Sequence, residues 1–129
     1  MSKEFDIWNN KKKYIQTDST VRFFHEREIW WCSLGVNVGF EQDGKGEDFQ
    51  RPILILKKFN NTCFLGVPLT SKIKSNKYYI SIGDVDGDSA YVIISQVKFF
   101  DNKRLLLKIG TLNTEKFGIA KKAFIQMFE

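Results

Sequence analysis

The stretch E-I-W-W-C-S-L-G-V-N-V-G-F-E-Q (28–42), with R-P-I-L-I-L (51–56) and V-P-L-T-S-K (67–72) behind it, decides how this chain folds. Its apolar runs are short, β-branched or aromatic, and bounded by Gly, Asn and charge, which is the signature of strands. An arginine opens one strand, Arg51, and a hydroxyl closes the next, Thr70. A guanidinium fork beside a hydroxyl at neighbouring strand ends suits the handling of a phosphate.

Outward from that core the pattern stays β-rich. Ile29–Leu34 reads as the first strand, and Gly35–Gln50 as a long loop with Gly35, Gly39, Gly44 and Gly46 as flexible points. Pro52–Lys58 and Thr62–Leu69 read as a hairpin closed by Asn60-Asn61, because Asn tolerates positive φ. Tyr78–Ile82 and Ala90–Ile94 form a further pair around Gly83–Ser89, and Leu105–Ile109 a last short strand. Asn113 or Thr114 then caps a helix whose apolar face is Phe117, Ala120, Phe124 and Phe128. Upstream, Phe5, Trp8 and Ile15 among Lys11, Lys12 and Lys13 predict a short amphipathic helix over 4–16. The expected class is mainly β with helices (α+β): a small, partly open β-barrel with packed helices.

Length and composition bound the function. At 129 residues, 43% hydrophobic and 15% aromatic, the chain fits one globular domain with a real core. A net charge of +5 favours an anionic partner, with nucleic acid first. Cys32 and Cys63 sit in apolar runs without metal spacing, so two reduced, buried thiols are expected. The charged start has no secretory h-region and no apolar run reaches membrane-spanning length, so the expected location is cytoplasmic, with no membrane partner.

The residues also limit the chemistry. His25 is the sole histidine, so a pair of catalytic histidines within one chain is excluded, and a packing or hydrogen-bonding role is expected. Asp84-Val-Asp-Gly-Asp88 fails as a calcium loop, since Gly87 stands fourth instead of sixth and Ser95 replaces the bidentate Glu; it reads as a hairpin turn. No metal or cofactor is called for. Taken alone, Arg51 also fits a structural pair with Glu41 or Glu47, and Thr70 a simple turn cap.

Six blocks, in order, carry a family likeness: E-I-W-W-C-S-L-G (28–35), G-F-E-Q (39–42), R-P-I-L-I-L (51–56), V-P-L-T-S (67–71), D-S-A-Y-V-I-I-S-Q-V (88–97) and D-N-K-R-L-L-L-K-I-G-T-L (101–112). The chain resembles the PemK/MazF family, the toxins of bacterial toxin–antitoxin pairs. The resemblance implies a small SH3-like barrel over 27–129, with residues 1–26 as an extension, and a homodimer. It further implies metal-independent endoribonuclease action on single-stranded RNA and an acidic cognate antitoxin as partner. Carried over by motif, Arg51 and Thr70 would be catalytic, with Glu41, Gln42, Ser71, Lys72 and Gln96 bordering the RNA. Where one branch of the family has Arg and Asp, this chain has Ile93 and Ser95, and Phe40 replaces a His. Those departures point to an Arg/Thr site with its general base unassigned. The alternative is a non-catalytic module on the same barrel that binds a protein such as gyrase, or RNA.

Overall fold

The computed structural model describes residues 22–34, 50–72 and 76–129. The helix expected over 4–16 lies outside them, as do Glu41, Gln42 and the rest of the long loop. Seven strands form one curled antiparallel sheet: β1 (Glu28–Ser33), β2 (Gln50–Lys58), β3 (Cys63–Thr70), β4 (Tyr79–Val85), β5 (Asp88–Ile93), β6 (Lys98–Asp101) and β7 (Leu105–Thr111). Their order is β4-β5-β3-β2-β1-β7, with β6 added beside β3. The path ends at β4 and β7, which leaves the curl open, and helix α1 (Thr114–Gln126) follows in sequence.

Successive side chains of a strand point to opposite faces, and β2 buries both. Leu54 and Leu56 join Ile29, Val67, Leu69 and Val92 in one core, which Phe117 and Ala120 of α1 close. Ile53 and Ile55 join Trp30, Cys32, Phe64, Phe100 and Leu105 in a second core, closed by Phe24. Two-sided burial explains why R-P-I-L-I-L is continuously apolar instead of alternating. Gly66 makes room on the second side: a Cβ there would stand 3.1 Å from the rings of both Phe64 and Phe100, which stack at 5.4 Å and would have to give by a few tenths of an ångström.

Several expectations are sharpened. Asn60 and Asn61 are not in the left-handed region, where the only non-glycine described residues are Arg27 and Asp86. Instead the Asn60 Oδ1 organises the turn by accepting from the Thr62 N–H (2.8 Å), the Thr62 hydroxyl (2.7 Å) and the Cys63 N–H (3.1 Å). Cys63 is consequently only half-buried, not enclosed as expected, whereas Cys32 is fully buried. The loop expected over Gly83–Ser89 is mostly strand: Asp84 pairs Ser89 and Val85 pairs Asp88, leaving Asp86-Gly87 as the turn. Both turn residues have positive φ, 53° and 88°, as a type I′ hairpin demands. The helix begins where expected, with the Asn113 side chain accepting from the Lys116 N–H at 2.8 Å. Phe128, expected on its buried face, is instead 74% exposed because the helix has ended before it.

One polar cluster ties the start of the sheet together. Glu28 is buried, and its carboxylate accepts from the Trp30 indole (3.0 Å) and the His25 backbone N–H (2.9 Å) while pairing with Lys108 of β7 at 3.1 Å. His25 itself hydrogen-bonds Glu28 through Nδ1 at 3.3 Å, the role expected of it. Burial pushes the Glu28 pKa up, but the hydrogen bonds from Trp30, His25 and Lys108 and the Lys108 charge outweigh it, and the net direction is down from 4.5. A carboxylate with a depressed folded-state pKa contributes stability that is complete above its unfolded value and lost as pH falls through the folded value. Glu28→Gln is therefore expected to lower unfolding free energy at pH 7 by about 2 kcal/mol or more. It should also flatten the loss of stability between neutral pH and acid, as read by urea melts at a series of pH values.

Candidate active site

Register carries Arg51 to Thr70. β2 and β3 pair as Ile53 with Pro68 and Leu54 with Val67, so Arg51 and Thr70 stand two residues beyond the last pair on neighbouring strand ends, where Thr70 pairs with Tyr91 of β5. The Arg51 Nη1 donates to the Leu69 carbonyl at 3.2 Å, which holds the guanidinium against the end of β3. Arg51 is 7% exposed. Pro52 stands opposite Trp31 of β1, near the start of an interior strand and not on a sheet edge. At that position its missing N–H does little damage to the ladder.

Arg51, Thr70 and Ser71 line one cavity of about 250 Å³. The Thr70 hydroxyl oxygen accepts from the Lys72 N–H at 3.1 Å, so Thr70 does cap the following turn. Its O–H remains a donor that can swing toward a ligand. The turn reading and the ligand reading of Thr70 are thus compatible. Lys72 is exposed and does not line the cavity. Gln96 lies in the 3-10 turn Ile94–Gln96, likewise outside the lining. Of the seven residues expected at the site, three line the cavity, Lys72 and Gln96 do not, and Glu41 and Gln42 lie beyond the described residues.

The lining has further members that sequence reasoning missed, among them Trp31, Asp86 and Asp88. Trp31 shares the parity of Ile29, a member of the α1-side core, yet is only half-buried among otherwise buried β1 residues, a difference that I-W-W-C does not announce. The two aspartates arrive from the β4–β5 hairpin, whose turn was read correctly but whose placement no local pattern announces. Cys32, register partner of Arg51, cannot serve as a nucleophile: burial, partly offset by the Arg104 charge, pushes its thiol up to about 12. Among the described residues no group of three or more His, Cys, Asp or Glu side chains could hold a metal ion.

The cleft therefore offers a buried guanidinium, hydroxyl donors and an aromatic wall, a set suited to an anion carrying an aromatic base. Residues 25–128 match the model of the PemK-like, MazF-like toxin of type II toxin–antitoxin systems. The chain belongs to that family. Solved structures of similar fold include the Mycobacterium tuberculosis toxin MazF-mt6, at 18% identity and TM-score 0.62, covering 79% of this chain and 96% of that one. MazF from Deinococcus radiodurans gives 15% and 0.64, covering 85% and 98%. An endoribonuclease from a mycobacterial species, in complex with its cognate antitoxin, gives 15% and 0.63, covering 80% and 92%. At such identities the likeness is one of fold. Among curated proteins none matches the chain.

Because Thr70 caps its turn through one hydrogen bond, Thr70→Val should cost about 1 kcal/mol of stability, and Thr70→Ser almost none. Paired thermal melts of the two variants check this.

Proposed function

We propose that this chain is a toxin endoribonuclease that cuts single-stranded RNA without a metal ion. The observation that carries the reading is the convergence of Arg51, Thr70 and Ser71 on one cleft, in a chain of the MazF-like toxin family. RNA supplies its own nucleophile. Attack of the 2′-hydroxyl on the adjacent phosphorus forms a new P–O bond and expels the 5′-oxygen of the next nucleotide, giving a 2′,3′-cyclic phosphate and a 5′-hydroxyl. The barrier lies in aligning that hydroxyl with the phosphate and in stabilising negative charge on the phosphoryl oxygens.

Arg51 suits the charge. Its guanidinium is fixed by the Leu69 carbonyl and set in an apolar strand end, where an electrostatic contact is stronger than in water. Thr70 donates its hydroxyl to a phosphoryl oxygen while its lone pair holds Lys72. Arginine is too weak an acid to protonate the departing oxygen directly, so that proton travels through an intermediary. Ser71 contacts the RNA in the cleft, and Lys72, Gln96, Glu41 and Gln42 contact it further along the strand. The working unit is the SH3-like barrel of residues 27–129, acting as a cytoplasmic homodimer. Residues 1–26 are an extension to it. An acidic antitoxin inhibits by covering the basic groove, a mode that charge complementarity favours in a chain of net charge +5.

In a mixed single-stranded RNA pool the purified protein should leave 5′-hydroxyl ends, at a rate unchanged by EDTA. Arg51→Ala and Thr70→Ala should each lower that rate by about 100-fold or more while the far-UV spectrum stays native. Activity abolished by EDTA, or 5′-phosphate ends, would refute the metal-free mechanism. A folded wild-type protein that cuts nothing would favour a binding module.

A further inference from the structure

The cleft holds more than phosphate chemistry requires. Beside Arg51 and Thr70 it is walled by Trp31 on β1 and by Asp86 and Asp88 on the β4–β5 hairpin. Trp31 lies on an interior strand, opposite Pro52 of β2 and Leu107 of β7 in the ladder, and is only half-buried. Asp86 sits at the hairpin tip at φ 53°, and Asp88 pairs with Val85 directly after the turn. Both carboxylates are exposed, and among the described residues neither is paired with a cation.

Carboxylates in a cleft that admits an anionic strand repel its phosphates. They are compatible with binding only where the strand presents hydrogen-bond donors, and in RNA the base edges carry the strongest ones. Cytosine, adenine and guanine each display an exocyclic amino group, which Asp accepts from; uracil has none. An aromatic wall is the usual platform for an unstacked base. A cavity of about 250 Å³ falls below the size that drug-like ligands need and suits a single base.

We propose that Trp31, Asp86 and Asp88 form a base-reading subsite beside the scissile phosphate, in which the indole stacks the base and the carboxylates select amino-bearing bases over uracil. The subsite rests on the endoribonuclease reading for its substrate, but its recognition is separable from cleavage. Trp31 is a specificity residue and takes no part in proton transfer. A second cavity of about 340 Å³ shares Val85, Asp86 and Ile109 with the first, so the strand has room to continue past the hairpin.

The test uses the full chain, a randomised single-stranded RNA pool with its 5′-hydroxyl ends mapped, and binding of 2′-deoxy oligonucleotides measured by fluorescence anisotropy. Trp31→Ala should weaken binding about fivefold or more, and Trp31→Phe should restore most of it. Asp88→Ala should reduce the preference for an amino-bearing base over uracil about tenfold at one position. Asp86→Asn, which the left-handed backbone tolerates, should shift the same position toward uracil. Should the chain cut RNA while the aspartate variants leave the cleavage map unaltered, or Trp31→Phe fail to restore binding, the subsite is wrong and the nuclease reading stands. Should the chain cut nothing, yet bind 2′-deoxy strands with a base preference that Asp88→Ala erases, the nuclease reading fails and the subsite stands.

Discussion

Burial of β2 on both faces is the constraint from which the rest of this architecture follows. Ile53 and Ile55 need one cover and Leu54 and Leu56 another, so the chain must supply apolar material on both sides of the same strand. Phe24, Phe64 and Phe100 provide it on one side, while α1 and the β4–β5 pair provide it on the other. A small domain buries a modest share of its surface, and two thin cores sharing one strand use that share efficiently. They also make β2 stiff. A shift of its register by a single residue would exchange the two sets of side chains.

Stiffness at β2 matters because Arg51 stands at its beginning. A buried guanidinium is costly to desolvate, and the chain tolerates it at the one place where the two cores give way to the cleft. The Leu69 carbonyl accepts from its Nη1 and holds the group against the end of β3. A site built on paired strand ends inherits the precision of the ladder. The hairpin that faces it, closed by two residues of left-handed backbone, is the more variable element by nature.

Much of this was legible in the sequence, for identifiable reasons. The strands of β1, β2, β3 and β7 announce themselves through apolar runs, and the Asn113 cap fixes the helix start. β6 did not, because Lys98–Asp101 is four residues long and takes its place only by pairing with β3. The β4–β5 turn was placed correctly but drawn too wide: Gly83 looked like a loop residue, yet it lies at a register shift within the ladder. Arg51 and Thr70 were readable as a pair because adjacent antiparallel strands bring the start of one to the end of the next. Asp86 and Asp88 were not readable as their neighbours, since that contact depends on how far the sheet curls. Curl is a property of the whole sheet.

The Glu28 cluster has one more consequence, and it concerns connectivity. Glu28 joins the residues that lead into β1 to Lys108 on β7, and across the same seam the Leu112 N–H donates to the Arg27 carbonyl while the Arg27 side-chain Nε donates to the Leu112 carbonyl. Phe24 seals the second core from just upstream, and its carbonyl accepts from the Lys58 ammonium at 2.9 Å. The chain's entry into the sheet and its exit toward the helix are therefore fastened at one place. Fusion partners or tags attached ahead of Arg22 would pull on this clasp before they pulled on the cleft.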